Sequence, residues 1–209
     1  MAFADFDLYL VTDRRQTRGR DLLWVLENAL DAGVKAVQLR EKDLPSRDLF
    51  LYAEKLKKLC DTYGAELLIN DRTDVALAVD AAGVQLGEAS IPISDARGLL
   101  GAQKLIGFSI HTLSEAIRAE DDGADFVLFG PIYFTPEKAR YGQPQGLARL
   151  KEIVEKTSLP VYAIGGIKVN NVKDVLKTGV RGVSLISELI AADDPKSTAA
   201  DLLRVIQAR

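Results

Sequence analysis

Ala36-Val37-Gln38-Leu39-Arg40-Glu41-Lys42 is the stretch from which the fold can be read. It opens as a buried strand and turns polar before it ends. Successive strand side chains point to opposite faces, so Gln38, Arg40 and Lys42 project one way while Val37, Leu39 and Glu41 project the other. A guanidinium on an inner strand face needs an anion, which the protein or a ligand must supply. An Arg–Glu ion pair at the strand end would meet that need from within, and this stretch by itself leaves both solutions open.

The same grammar, an apolar run closed by polar residues or glycine, recurs along the chain. It is found at Asp7 to Asp13, Glu66 to Asp71, Gly83 to Gly87, Lys104 to Ser109, Asp125 to Gly130, Pro160 to Gly166 and Gly182 to Ser187. With Lys35 to Arg40 that makes eight strands. Helical spacing fills the intervals, at Asp21 to Asp31, Ser46 to Tyr63, Thr112 to Asp122, Leu147 to Thr157, Val169 to Thr178 and Pro195 to Gln207. Thr112-Leu113-Ser114-Glu115 fits a capping box and sets a helix start just after the fifth strand. Thr73 to Val79 and Ser94 to Leu100 are short enough to be single turns. Strands rich in Val, Ile and Leu without clean alternation belong to a parallel sheet covered on both faces. Eight strand–helix units within 209 residues predict an α/β fold, a (β/α)8 TIM barrel forming one domain over residues 1–209, with a doubly wound open sheet as the alternative.

Composition narrows the function. At 47% hydrophobic and 27% charged residues the chain is an ordinary globular protein, and a net charge of −3 provides no basic field to attract nucleic acid or an anionic membrane. Anion binding must therefore be local. The single Cys60 excludes an internal disulfide and a cysteine-rich zinc site, and it suits a reducing cytoplasm. The start of the chain has no charged-then-apolar signal pattern, and no apolar run is long enough to cross a bilayer. His111 is the sole histidine, which rules out a His cluster on zinc and makes a rim-organising role beside Ser109 the better reading than a general base.

In a barrel of this type the active site forms at the C-terminal strand ends. The misplaced polar residues all fall there: Arg40 and Lys42 after strand two, Asn70 and Asp71 after strand three, Ser109 and His111 at strand five, Thr135 and Lys138 after strand six, Gly165-Gly166 after strand seven and Ser187 after strand eight. Loops after strands seven and eight are the usual barrel phosphate site, and Gly165-Gly166 lets backbone approach a ligand closely. Residues 134–146 are rich in Gly and Pro, carry Lys138 and Arg140, and are long enough to act as a lid. Asp71 among bases suits a Mg2+ held by one carboxylate and by substrate phosphates, with an Asp–Lys pair and an Asn amide network as the plainer reading.

Taken as an ordered set, these landmarks resemble the thiamine phosphate synthase family, with its thiazole tautomerase-like paralogues. They are Tyr9-Leu10-Val11-Thr12-Asp13, Gln38-Leu39-Arg40-Glu41-Lys42, Ile69-Asn70-Asp71-Arg72, Gly107-Phe108-Ser109-Ile110-His111-Thr112, Gly130-Pro131-Ile132-Tyr133, Ala163-Ile164-Gly165-Gly166-Ile167 and Ser187. The resemblance implies a Mg2+-dependent transferase that joins hydroxymethylpyrimidine diphosphate to thiazole phosphate and releases pyrophosphate. Carried over by position, Gln38, Arg40, Lys42 and Asn70 would hold the pyrimidine diphosphate and Asp71 the metal. Ser109 and Lys138 would contact the leaving pyrophosphate or the pyrimidine, with Thr135, Gly166, Ile186 and Ser187 around the thiazole phosphate. Arg40, Lys42, Ser109 and Lys138 would carry the catalysis. Two positions depart from the family pattern: Ser90 stands where a second metal-binding Asp is implied, and Glu137 where a Thr is implied. Pro131 follows the synthases, whereas the tautomerase branch has His in that slot. The expected partners are small phosphorylated molecules, with a homodimer allowed and neither nucleic acid nor membrane involved. A paralogue that binds or aromatises thiazole phosphate, or serves as a regulatory module, is the competing reading, and another phosphosugar barrel enzyme is a third.

Overall fold

The computed structural model describes residues 4–135 and 143–208. The eight polar-ended runs form parallel strands β1 (Leu8–Val11), β2 (Ala36–Leu39), β3 (Glu66–Asn70), β4 (Gly83–Leu86), β5 (Leu105–Ile110), β6 (Phe126–Phe129), β7 (Val161–Ile164) and β8 (Gly182–Leu185). They pair in sequence order and close into a barrel, which excludes the open doubly wound sheet. The closing seam joins β8 to β1 with Leu8 opposite Val183 and Leu10 opposite Leu185.

Helices α1 (Leu22–Asp31), α2 (Ser46–Tyr63), α3 (Thr73–Ala78), α4 (Ile93–Leu100), α5 (Leu113–Asp121), α6 (Gly146–Lys156), α7 (Val172–Leu176), α8 (Ser187–Ile190) and α9 (Pro195–Gln207) follow the strands. Their starts are set by local chemistry. The Asp21 carboxylate accepts the Trp24 amide of α1, the Thr112/Glu115 capping box opens α5, and Asp194 caps α9 ahead of its first-turn proline. Where α4 was expected as a single turn it runs for 8 residues. Conversely, α7 is shorter than Val169 to Thr178, because the Asn171 side chain accepts the Lys168 amide at 2.7 Å and donates to Gly166 O at 3.0 Å. Those bonds tie the would-be first turn to the preceding loop. A 3-10 turn at Arg14–Gln16 and the four-residue α8 are further additions to the expected elements.

Alternation along the strands divides the core in two. Residues such as Leu10, Val37, Leu67, Val84, Ile106, Val127 and Val183 face the helices, in one continuous apolar layer. Inside the barrel, Phe6, Tyr9, Phe126 and Tyr162 pack ring against ring, with centroids 4.8 to 6.4 Å apart. Gly107 exists to admit this plug, since a Cβ there would lie 2.3 Å from Phe126 Cζ. Two residues further along the same inward faces, the side chains turn polar: Ala36 gives way to Gln38, Leu68 to Asn70, Gly83 to Gln85 and Gly107 to Ser109. An apolar floor under a polar layer is what a barrel needs to hold a site at one mouth.

Candidate active site

A cavity of about 840 Å³ opens at the C-terminal strand ends. Gln38, Arg40, Lys42, Asn70, Asp71, Ser109, Thr135, Gly166, Ile186 and Ser187 all line it, so the structure brings together every anticipated site residue that it describes. Lys138, together with Glu137 and Arg140, lies outside the described residues.

The opening stretch resolves differently on its two faces. β2 ends at Leu39, and Glu41 is buried beyond it, where its carboxylate accepts the Arg14 amide at 3.0 Å and pairs with the Arg14 guanidinium at 3.2 Å. Arg14 also grips Asp43 in a two-pronged contact at 2.5 Å, which holds the Asp43 carboxyl well below the usual carboxylate range. No described carboxylate pairs with the half-buried Arg40 guanidinium. The internal Arg–Glu pair left open by the sequence forms with Arg14, and Arg40 is left facing the cavity. Its backbone is pinned, with the amide donating to Thr12 Oγ1 at 2.9 Å. Gln38 Nε2 donates to the Tyr9 hydroxyl at 3.1 Å, and burial pushes that phenol far above its usual range, so it stays neutral.

Asp71 is held in an unusual way. Its φ is +61°, in the left-handed region that Asp and Asn tolerate better than most residues, and the Arg72 amide bonds back to Asn70 O at 2.7 Å across it. Such strain collects at functional positions because the surrounding structure must hold it in place. Asn70 Nδ2 donates to Asp71 Oδ2 at 2.6 Å and Lys42 Nζ lies 3.6 Å away. Ser90 Oγ donates to Asp71 Oδ1 and accepts the Gly87 amide at 2.8 Å.

Across the cavity, Gly165 and Gly166 adopt φ of +100° and +67°. A Cβ on Gly166 would sit 2.7 Å from Tyr133 Cβ and 3.0 Å from Phe134 O, so glycine lets the loop after β7 press against the loop after β6. Thr135 Oγ1 is buried there with no partner among the described residues. Glu188 accepts the Val169 amide at 3.3 Å and thereby joins the start of α8 to the same loop.

The family model described as thiamine monophosphate synthase matches residues 8–189. The chain belongs to the thiamine monophosphate synthase family. A Geobacter sulfurreducens protein provisionally named thiamine-phosphate synthase is 51% identical over 209 residues, covering 100% of this chain and 98% of its own. The thiamine-phosphate synthase of Clostridium novyi is 44% identical, covering 96% of this chain and 98% of its own length. A solved thiamine phosphate pyrophosphorylase from Pyrococcus furiosus superposes with a TM-score of 0.90 at 37% identity, over 98% of this chain and 96% of that one. As a thiamine monophosphate synthase family member, the chain is a transferase of thiamine biosynthesis.

Among the described residues of this thiamine monophosphate synthase family barrel, Asp71 is a cavity-lining carboxylate that Lys42, Asn70 and Ser90 surround. Among the described residues no group of three His, Cys, Asp or Glu could cage an ion. Asp71 has both oxygens engaged by neutral or cationic donors, a serine hydroxyl beside it and the cavity in front. That set fits Mg2+, which accepts a single carboxylate when phosphates and water complete its shell. Sequence reading missed three contributors. Gln85 signals itself only as a polar residue inside a strand; the Asn171 tie and the Arg14–Glu41 clamp join segments whose proximity depends on the fold. His111 is exposed at the rim, its Nδ1 2.7 Å from Gly130 O.

Proposed function

We propose that the chain couples hydroxymethylpyrimidine diphosphate to a thiazole phosphate with release of pyrophosphate, and that it uses Mg2+. The observation that carries this reading is Arg40, a half-buried guanidinium facing the cavity with no described carboxylate partner, next to Lys42 and Asp71. Such a cation calls for an anionic ligand, and a diphosphate supplies one.

Gln38 and Asn70 would orient the pyrimidine while Arg40 and Lys42 bind its diphosphate. Asp71 would hold Mg2+ together with phosphate oxygens, where the ion would supply neutralisation of the negative charge. Thr135, Gly166, Ile186 and Ser187 would seat the thiazole phosphate opposite, and Lys138 would join from the loop after β6. As the bond from methylene carbon to oxygen breaks, its electron pair leaves with pyrophosphate, and the thiazole nitrogen donates its lone pair to the resulting pyrimidine methyl cation. The residues accordingly bind, orient and stabilise negative charge on the leaving group; Ser109 donates a hydrogen bond to it. Neither a nucleophile nor a strong base is needed. The single, buried Cys60 supports a cytoplasmic setting.

Purified protein given both precursors and Mg2+ should release pyrophosphate and form the coupled product, with no turnover when either precursor is omitted. Ser90 in place of a second Asp favours a competing reading, a paralogue that binds thiazole phosphate without joining it. Tight thiazole phosphate binding with no product under these conditions would establish that alternative.

A further inference from the structure

We propose that Gln85 is a positioning residue that fixes the Ser109 hydroxyl as a hydrogen-bond donor to the departing pyrophosphate. This rests on the assignment of Ser109 to the leaving group.

Gln85 lies inside β4, 2% exposed, with Asn70 opposite it on β3 and Gly107 opposite it on β5. Ser109 is two residues beyond Gly107 and shares its inward face. A Cβ at Gly107 would come within 2.4 Å of Gln85 Oε1, so the glycine makes room for this amide as well as for the aromatic plug. Gln85 Nε2 reaches Ser109 Oγ at 3.1 Å and has a longer contact to Leu86 O at 3.5 Å. Rotating the amide by half a turn would set its oxygen against the Leu86 carbonyl, so the nitrogen belongs on that side.

An amide nitrogen can only donate, so Ser109 Oγ must accept from it. The hydroxyl proton is then free to point elsewhere, and Ser109 lines the cavity while Gln85 sits behind it. Had Ser109 been obliged to donate to an amide oxygen, only its lone pairs would face the leaving group, and these repel a phosphate. Gln85 thereby decides the polarity of Ser109. The arrangement leaves Gln85 Oε1 buried with no partner among the described residues, an unfavourable condition that calls for an explanation. Donor orientation at Ser109 explains it. A donor aimed at developing charge acts more on the transition state than on the bound substrate.

The experiment is a double-mutant cycle, measured as kcat and KM with both precursors and Mg2+. Ser109→Ala should lower kcat roughly tenfold or more with a smaller change in KM for the diphosphate. Gln85→Met, similar in volume but without a donor, should lower kcat in the same manner, and the double variant should fall no further than Ser109→Ala alone. Should Gln85→Met fail to fold by circular dichroism, Gln85→Asn, which draws the amide back by one methylene, replaces it with the same outcomes. Unchanged turnover in Ser109→Ala would remove the assignment on which the inference rests. A loss in Ser109→Ala without one in the Gln85 variant, or losses that multiply in the double variant, would overturn the inference and leave the Ser109 assignment standing.

Discussion

Replacing Ser90 with Asp tests the proposal that the Asp71 carboxylate holds Mg2+. Ser90 Oγ already donates to Asp71 Oδ1, so an aspartate there would bring two carboxylates within hydrogen-bonding range of each other. At 4 Å two unit charges repel by about 1 kcal/mol in water and ~4 kcal/mol near a protein surface. The Asp71 side chain is 38% exposed and has Lys42 Nζ at 3.6 Å, so the lower part of that range applies. Adding ~1 kcal/mol for the lost hydrogen bond gives a destabilisation of about 2–3 kcal/mol in chelator. For a chain of 209 residues that lowers Tm by about 4–12 °C. Mg2+ would relieve the repulsion and gain a ligand, so it should bind about 5- to 30-fold tighter than in the native chain and restore Tm. Thermal melts of both proteins across a Mg2+ titration measure each quantity. Equal melting temperatures in chelator, or identical Mg2+ shifts, would show that position 90 does not act on the Asp71 carboxylate and would refute the reasoning.

Asp71→Asn keeps a residue type that tolerates φ of +61° while removing the charge, so circular dichroism should be unchanged and Mg2+-dependent turnover should drop by roughly 10²-fold or more. Gly166→Ala places a methyl 2.7 Å from Tyr133 Cβ at a left-handed φ, and urea melts should show a loss of about 1–3 kcal/mol, together with a raised KM for thiazole phosphate. Burial pushes the Cys60 thiol up to about 12, whereas the unfolded thiol ionises near ~8.5. The stability this contributes is complete below the unfolded value and is lost as pH rises towards the folded one, so between pH ~8.5 and ~10 the native protein should lose about 1–2 kcal/mol more than Cys60→Ala in urea melts. Parallel curves would contradict this.

The eight strands were legible because each is an apolar run that ends in a polar residue or glycine, and a closed parallel barrel turns that repeated ending into one shared mouth. The same logic places Arg40, Asp71, Ser109 and Gly166 around one cavity. Side-chain pairing was less accessible. Gln85 and Ser109 are separated by 24 residues and meet only through strand register, and Arg14 finds Glu41 across 27. Asn171 sits in a stretch with helical spacing, yet its amide serves the Gly166 loop, a choice that depends on where Gly166 O ends up. Ser90 was visible as a departure from a pattern. Its bond to the Asp71 carboxylate depends on the turn that brings Ser90 Oγ to the Gly87 amide.

The seam between β1 and β8 has a consequence during synthesis on the ribosome. Val183 follows its partner Leu8 by 183 − 8 = 175 residues, which at ~5–20 residues/s means about 9–35 s of translation before the first strand meets its last neighbour. Through that interval one edge of the apolar run Leu8–Val11 has no strand to pair with, and an open edge of this kind can recruit other nascent chains. A ribosome stalled shortly before Val183 would leave on its surface an almost complete but adhesive sheet.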